Sequence, residues 1–304
     1  GESFGTPFLI VDHVEVEAEN VMSVSLLRMA NHEIGLFYLK KSVGGQCILY
    51  MIRSSDEGKS WSAPIRCIAE KGYFVVNNDR VIRTKSGRIL FAAAYHKTEE
   101  CCDQSTGIQR RIYKPGCLVV YGSDDDGFSW NRISSEDITL PISRGSVTGV
   151  QEPGILSLQD GSIWCYIRND SGRHYECFSQ DEGVTWTRPL PSVFTGPGSP
   201  LCTKRLSDGR ILAVWNPIPN YNGRKTIVNE FRTAGRNPLV MAFSEDDGTT
   251  WTEPVVIESD ESRGYCYTAI IELEDGSVLL GYCAGGAEDK GILNRLRIRK
   301  INSV

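Results

Sequence analysis

An acid, a guanidinium group and a phenol stand at matching places in a repeated pattern. Glu152 and Tyr267 each lie nine residues before a turn glycine, Gly161 and Gly276 respectively. Arg168 follows Gly161 by seven residues, and Asn216 follows Gly209 by the same number. The same backward count from the other turns reaches Ser23, Asn78 and Pro200, and Asn78 is followed by Asp79 and Arg80. A long polar insertion adds further guanidinium groups, Arg224, Arg232 and Arg236. A planar guanidinium grips a carboxylate through two parallel hydrogen bonds, so arginines that converge would bind a carboxylated ligand. Asn216, at the position equivalent to Arg168, offers an amide to hydrogen-bond a ligand. Tyr265 competes with Tyr267, because alternate residues share a strand face.

These residues need a scaffold that brings distant positions to one place, and the chain shows one. The pattern Ser-x-Asp-x-Gly-x-Ser/Thr-Trp occurs at residues 54–61, 123–130, 179–186 and 244–251. A motif returning at such intervals marks a repeat architecture. Its chemistry suits a tight turn: Asp and Ser bond their own backbone, and Gly takes positive φ. Residues 1–7 read as the tail of a fifth copy with Phe4 in place of Trp, so the sequence is expected to begin inside a repeat. Each unit holds an apolar run, a Gly turn, a second apolar run, a variable connection, a third run and the box. Runs such as Ile163, Trp164, Cys165 and Tyr166 are strand-like, and no amphipathic helix stands out. Four-stranded units around an axis make a β-propeller. The expected fold is therefore all-β, a six-bladed propeller spanning residues 1–304 as one domain, with its first blade incomplete. First strands line the central channel of such a fold, so Glu152 and Tyr267 would share a cavity. The longest polar insertions, 97–115 and 217–237, follow second strands, where loops reach the functional face.

Composition removes several function classes. The chain has 304 residues and a formal net charge of −5, with no basic run, so nucleic acid is an unexpected partner. No apolar stretch approaches the length of a membrane helix. The ten cysteines are scattered, without CxxC or zinc spacing. They read as buried free thiols of a reducing compartment, with a secreted protein carrying a few disulfides as the alternative. Asp124, Asp125 and Asp126 suggest calcium, but they coincide with a box, which accounts for them. No metal or other cofactor is expected. Trp164 and Trp215 read as core, and His96 as a hydrogen-bonded rim residue.

The boxes resemble the Asp boxes, or BNR repeats, of the sialidase (neuraminidase) superfamily. Glu152 with Arg168 sixteen residues on is similar to that family's Glu-x15-Arg pattern, and residues 267–276 resemble the strand bearing its catalytic Tyr. In repeat pattern the resemblance covers the whole chain, and in detail it is nearest to bacterial BNR-repeat sialidase-like proteins. It implies an exo-glycoside hydrolase that removes terminal sialic acid, or a related acidic sugar, from glycoconjugates. Tyr267 would be the nucleophile, Glu152 its base, and Arg168 and Arg236 ligands of the sugar carboxylate. Sialidases use Tyr where most glycosidases use a second carboxylate. Asp79, Arg80 and Asn216 would line the substrate site. The family's first arginine and its acid/base Asp belong to the first blade, so neither role is assigned here; Asp79 does not match the acid's position. A glycosidase for another carboxylated sugar and a non-catalytic carbohydrate-binding propeller are the alternatives.

Overall fold

The computed structural model describes residues 3–42, 44–103, 107–113, 115–143, 146–221 and 223–302. Among them the only helical element is the short 3-10 turn Ala287–Asp289; almost all other regular structure is antiparallel strand. The chain is all-β, as the apolar runs and Gly turns imply. Among the described residues, no helix is long and apolar enough to cross a membrane. Two compact units are present. One comprises Gly5–Cys165 and Cys177–Pro189; the other comprises Gly1–Phe4, Tyr166–Glu176 and Leu190–Val304.

The first unit is built on a nine-stranded sheet. Asn20–Arg28, Ile34–Ser42 and Gln46–Ser54 form a meander, and Tyr73–Val75, Ile89–His96, Cys117–Ser123 and Asn131–Arg132 continue the sheet. One parallel pairing, Cys47 with Tyr73, joins the two halves. Continuous apolar runs in Ile34–Ser42 and Ile89–His96 are covered on both faces, as such runs require. Phe37, Leu39, Leu49, Met51, Phe91 and Val119 are fully buried in one cluster, each contributing roughly 1.5–3 kcal/mol. Trp130, the last residue of a box, packs edge-on against Phe37 at 5.8 Å.

The second unit holds the four-stranded sheet Cys202–Arg205, Ile211–Trp215, Leu239–Ser244 and Val255–Glu258. It also holds the three-stranded sheet Cys266–Glu272, Val278–Cys283 and Leu296–Ile301. Leu212, Val214, Leu239, Tyr265, Leu280 and Tyr282 share one core there. Gln151–Ser157, Ile163–Arg168, Arg173–Ser179 and Leu190–Thr195 form a further four-stranded sheet. Both polar insertions carry strands of their own. The first forms the hairpin Thr98–Asp103 with Gly107–Ile112, the second the small hairpin Ile227–Val228 with Phe231–Arg232.

The four boxes fold alike. In each, the Ser hydroxyl accepts from the Gly amide at 2.8 Å and donates to the Asp carboxylate. The Asp in turn accepts from the hydroxyl four residues on, at 2.6 Å, and from the amide of the same residue. Gly takes φ between 84° and 92°, a backbone other residues adopt only with strain. These hydrogen bonds hold Asp56 down to about 2, the Ser60 hydroxyl contributing most. Asp126 is spent on Arg53 and Arg83, and Asp124 on Arg88.

Candidate functional site

Tyr267 owes its position to a bulge. Cys266 pairs with Cys283 and Ala269 with Gly281, so Tyr267 and Thr268 oppose Tyr282 alone. The extra residue is absorbed by Tyr267, whose φ is 58°. A bulge re-aims a side chain that strict alternation would have sent elsewhere. The same left-handed backbone occurs at Ser23 (φ 61°) and Glu152 (φ 41°), two further positions reached by the nine-residue count. Ser23 also sits in a register shift, between Met22 and Ser25. Asp79, one residue past the counted Asn78, has φ 55°. Each such non-Gly residue costs of order 1–3 kcal/mol, and such residues collect at functional sites.

Two cations meet at Tyr267. The Arg168 Nη1 lies 3.5 Å from the Tyr267 hydroxyl. The Arg236 guanidinium carbon lies 5.3 Å from the centre of the Tyr267 ring, within cation–π range. Arg236 Nη1 also donates to Cys266 Sγ at 3.0 Å. The backbone explains why Arg236 reaches this place: its carbonyl accepts from the Tyr265 amide at 2.8 Å, tying the insertion to the start of the Tyr267 strand. All three side chains are half-buried.

The rivals are occupied otherwise. Arg224 donates to the carbonyl of Asn237 and to its Oδ1, so it braces the loop rather than facing Tyr267. Arg232 is exposed on the small hairpin. Tyr265 is fully buried in the core, 6.4 Å from Tyr282, and burial pushes its phenol up. Asn216 is buried at the end of Ile211–Trp215; its Nδ2 donates to the Pro238 carbonyl at 2.9 Å, and its Oδ1 has no hydrogen-bond partner among the described residues. It fastens the loop that carries Arg236.

Glu152, Asp79 and Arg80 belong to the other unit. Glu152 is the second residue of the strand Gln151–Ser157 and is half-buried. The Asp79 amide donates to the Val24 carbonyl at 3.0 Å, and the Arg80 amide to Ser25 Oγ at 2.9 Å. Both bonds reach the strand irregularity at Ser23. Arg80 is buried, only 1% exposed. His96 is buried against the Tyr113 carbonyl and Gln151, a structural placement. Trp164 and Trp215 are core residues.

The sequence reading missed the two cysteines beside Tyr267. Cys266 touches Arg236, and Cys283 lies seven residues after Gly276. That offset, shared with Arg168 and Asn216, was the available signal.

A family model described as a BNR repeat-like domain matches residues 3–280. The chain belongs to that family and is a sialidase-like member of the BNR-repeat superfamily. It is 24% identical to a sialidase of Bacteroides fragilis over 245 residues, which is 77% of this chain and 39% of that protein. It is 29% identical to an anhydrosialidase of Macrobdella decora over 173 residues, 53% of this chain and 20% of that protein. The chain thus spans well under half the length of these relatives. Among solved structures, a Dyadobacter fermentans protein of unknown function superposes with a TM-score of 0.65 at 18% identity, covering 93% of this chain and 76% of that one. The Hadza microbial sialidase Hz136 superposes with a TM-score of 0.63 at 14% identity, covering 91% and 51%. These likenesses concern the fold.

Proposed function

We propose that this chain carries the catalytic site of a sialidase-like exo-glycoside hydrolase, in a single six-bladed β-propeller, acting without a cofactor. The observation that carries this is the meeting of Arg168 and Arg236 on Tyr267. Two guanidinium groups beside a phenol suit a substrate whose anomeric carbon bears a carboxylate, as sialic acid does. A carboxylate nucleophile would be repelled by that substrate, whereas a phenol approaches it neutral and becomes reactive once a base removes its proton. Glu152 takes the role of that base. The Tyr267 oxygen then bonds to the anomeric carbon as the glycosidic bond breaks. The leaving oxygen needs a proton from an acid, a role assigned to no residue of this chain. Hydrolysis of the tyrosyl intermediate by water releases the sugar with its configuration retained. Asp79, Arg80 and Asn216 are assigned to the substrate side, and the partner is a sialylated glycan.

The test is release of sialic acid from a sialyllactose by the wild-type chain and by Tyr267→Phe. Activity that falls at least about 100-fold in the variant is expected, since covalent catalysis is lost. Equal activity in the two would remove Tyr267 as nucleophile. Turnover of a uronic acid glycoside but not of sialosides would redirect the substrate, and binding without turnover of either would make the chain a carbohydrate-binding module.

A further inference from the structure

Cys283 closes the strand Val278–Cys283 at the repeat position where another unit carries Arg168 and a third carries Asn216. The place that holds a guanidinium or an amide elsewhere holds a thiol here. Directly across the ladder stands Cys266. Opposed residues of an antiparallel pair have Cα atoms about 4.5–5.5 Å apart, inside the span a disulfide bridges. The Cys283 Sγ donates to the Leu293 carbonyl at 3.9 Å. Cys266 also receives the Arg236 Nη1 at 3.0 Å.

Charge and access distinguish this pair from the other cysteines. The Cys266 thiol across the ladder, with the Arg236 charge nearby, pulls the Cys283 thiol down to about 7 against the cost of burial. Burial pushes the Cys266 thiol up. Cys283 is half-exposed, whereas the other seven described cysteines are buried. Cys165 and Cys177 are both fully buried, and burial pushes the Cys165 thiol up. A thiol of lowered pKa that solvent reaches, directly across a ladder from a second thiol, is the arrangement of an oxidation-sensitive pair.

We propose that Cys266 and Cys283 form a redox modification site that a peroxide converts to a disulfide, and that this disulfide weakens the Tyr267 site. The Cys283 thiolate attacks one peroxide oxygen: an S–O bond forms, the O–O bond breaks, and the released hydroxide takes a proton to become water. The Cys266 sulfur then attacks the sulfenic sulfur of Cys283. The S–S bond forms, the S–O bond breaks, and the Cys266 proton leaves with the second water. Two thiols are oxidised and one peroxide is reduced. The disulfide removes the thiol that Arg236 grips and clamps the bulge that places Tyr267. This second effect rests on the proposed function; the first does not.

The experiment treats the reduced chain with hydrogen peroxide, maps disulfides by mass spectrometry of unreduced peptides, and measures binding of N-acetylneuraminic acid before and after. A 266–283 crosslink with a mass loss of about 2 Da, reversed by dithiothreitol, is expected. Cys283→Ser and Cys283→Ala should each lack it. Affinity for the sugar should fall about tenfold in the oxidised wild type and stay unchanged by peroxide in both variants. A crosslink elsewhere, or over-oxidation of Cys283 with no bond to Cys266, overturns the site. A 266–283 crosslink that leaves affinity unchanged overturns its effect on Tyr267. A reduced chain that fails to bind the sugar removes the proposed function and with it that effect, while the crosslink still decides the modification site.

Discussion

The guanidinium of Arg236 lies over the ring of Tyr267, its carbon 5.3 Å from the ring centre, while its Nη1 donates to Cys266 Sγ on the preceding residue. One side chain from a long insertion thus contacts two successive residues of a bulged strand. The bulge makes this possible. Without the extra residue at 267, the phenol would follow the strand's alternation and share a face with Tyr265, which is buried in the core.

The two tyrosines should therefore separate in experiment. The Tyr265 hydroxyl is buried and has no hydrogen-bond partner among the described residues. Tyr265→Phe removes that polar atom at little cost, so stability should be unchanged or higher by about 1 kcal/mol. Sialoside turnover should stay within about twofold of wild type. Urea unfolding and an activity assay check both. A loss of turnover in Tyr265→Phe comparable to that in Tyr267→Phe would mean that the two phenols act as one unit.

Charge alone should not replace the arginines. Lysine keeps the positive charge but loses the planar fork that holds a carboxylate by two bonds. Arg168→Lys and Arg236→Lys should each weaken binding of N-acetylneuraminic acid by about 1.5–3 kcal/mol, or roughly 10- to 100-fold. Calorimetric titration reads this directly. Arg232→Lys, on the exposed hairpin, should bind as wild type.

Acid should unfold the chain through the boxes. Asp56 sits at about 2, below the ordinary 3.8, held first by the Ser60 hydroxyl. Asp246 is lowered by Thr250 in the same way; Asp125 and Asp181 are lowered by Ser129 and Thr185 against opposing burial. Because the folded carboxylates hold their protons more weakly, the unfolded chain protonates first as pH falls. This stabilisation is complete above the ordinary carboxylate range and is lost as pH drops from about 4 toward 2. Melting curves against pH should show the loss. Asp181→Asn should melt a few degrees lower at pH 7 and show a shallower fall below pH 4.

The boxes were legible in the sequence because every bond they need lies within a few residues: Asp56 reaches Ser60, and Ser54 reaches Gly58. The nine-residue count reaches three residues, Ser23, Glu152 and Tyr267, that share a left-handed backbone. The choice between Tyr265 and Tyr267 was not legible. Alternation gives them one face, and only the register shift separates them. Long-range pairings were equally hidden. Arg236 against Cys266 depends on how the insertion folds back, and neither spacing nor composition reports that path. Trp61 shows the limit of the repeat itself: Trp130, Trp186 and Trp251 donate to their box glycine, whereas the buried Trp61 Nε1 has no partner among the described residues.

Asn216 can act on the sugar directly or through Arg236, and the two roles leave different traces. Its Nδ2 holds the Pro238 carbonyl at 2.9 Å, two residues beyond Arg236. Asn216→Ala breaks that bond and leaves a partly buried carbonyl unpaired, at a cost of about 1–3 kcal/mol. The loop then loosens, so affinity for N-acetylneuraminic acid should fall together with stability. Arg236→Ala in the Asn216→Ala background should add little further loss of affinity, because residues acting through one contact are not additive. A double-mutant cycle with urea unfolding in parallel measures this. If Asn216→Ala retained full stability, lost affinity, and added its whole effect to that of Arg236→Ala, the amide would be a sugar contact in its own right and its bond to Pro238 incidental.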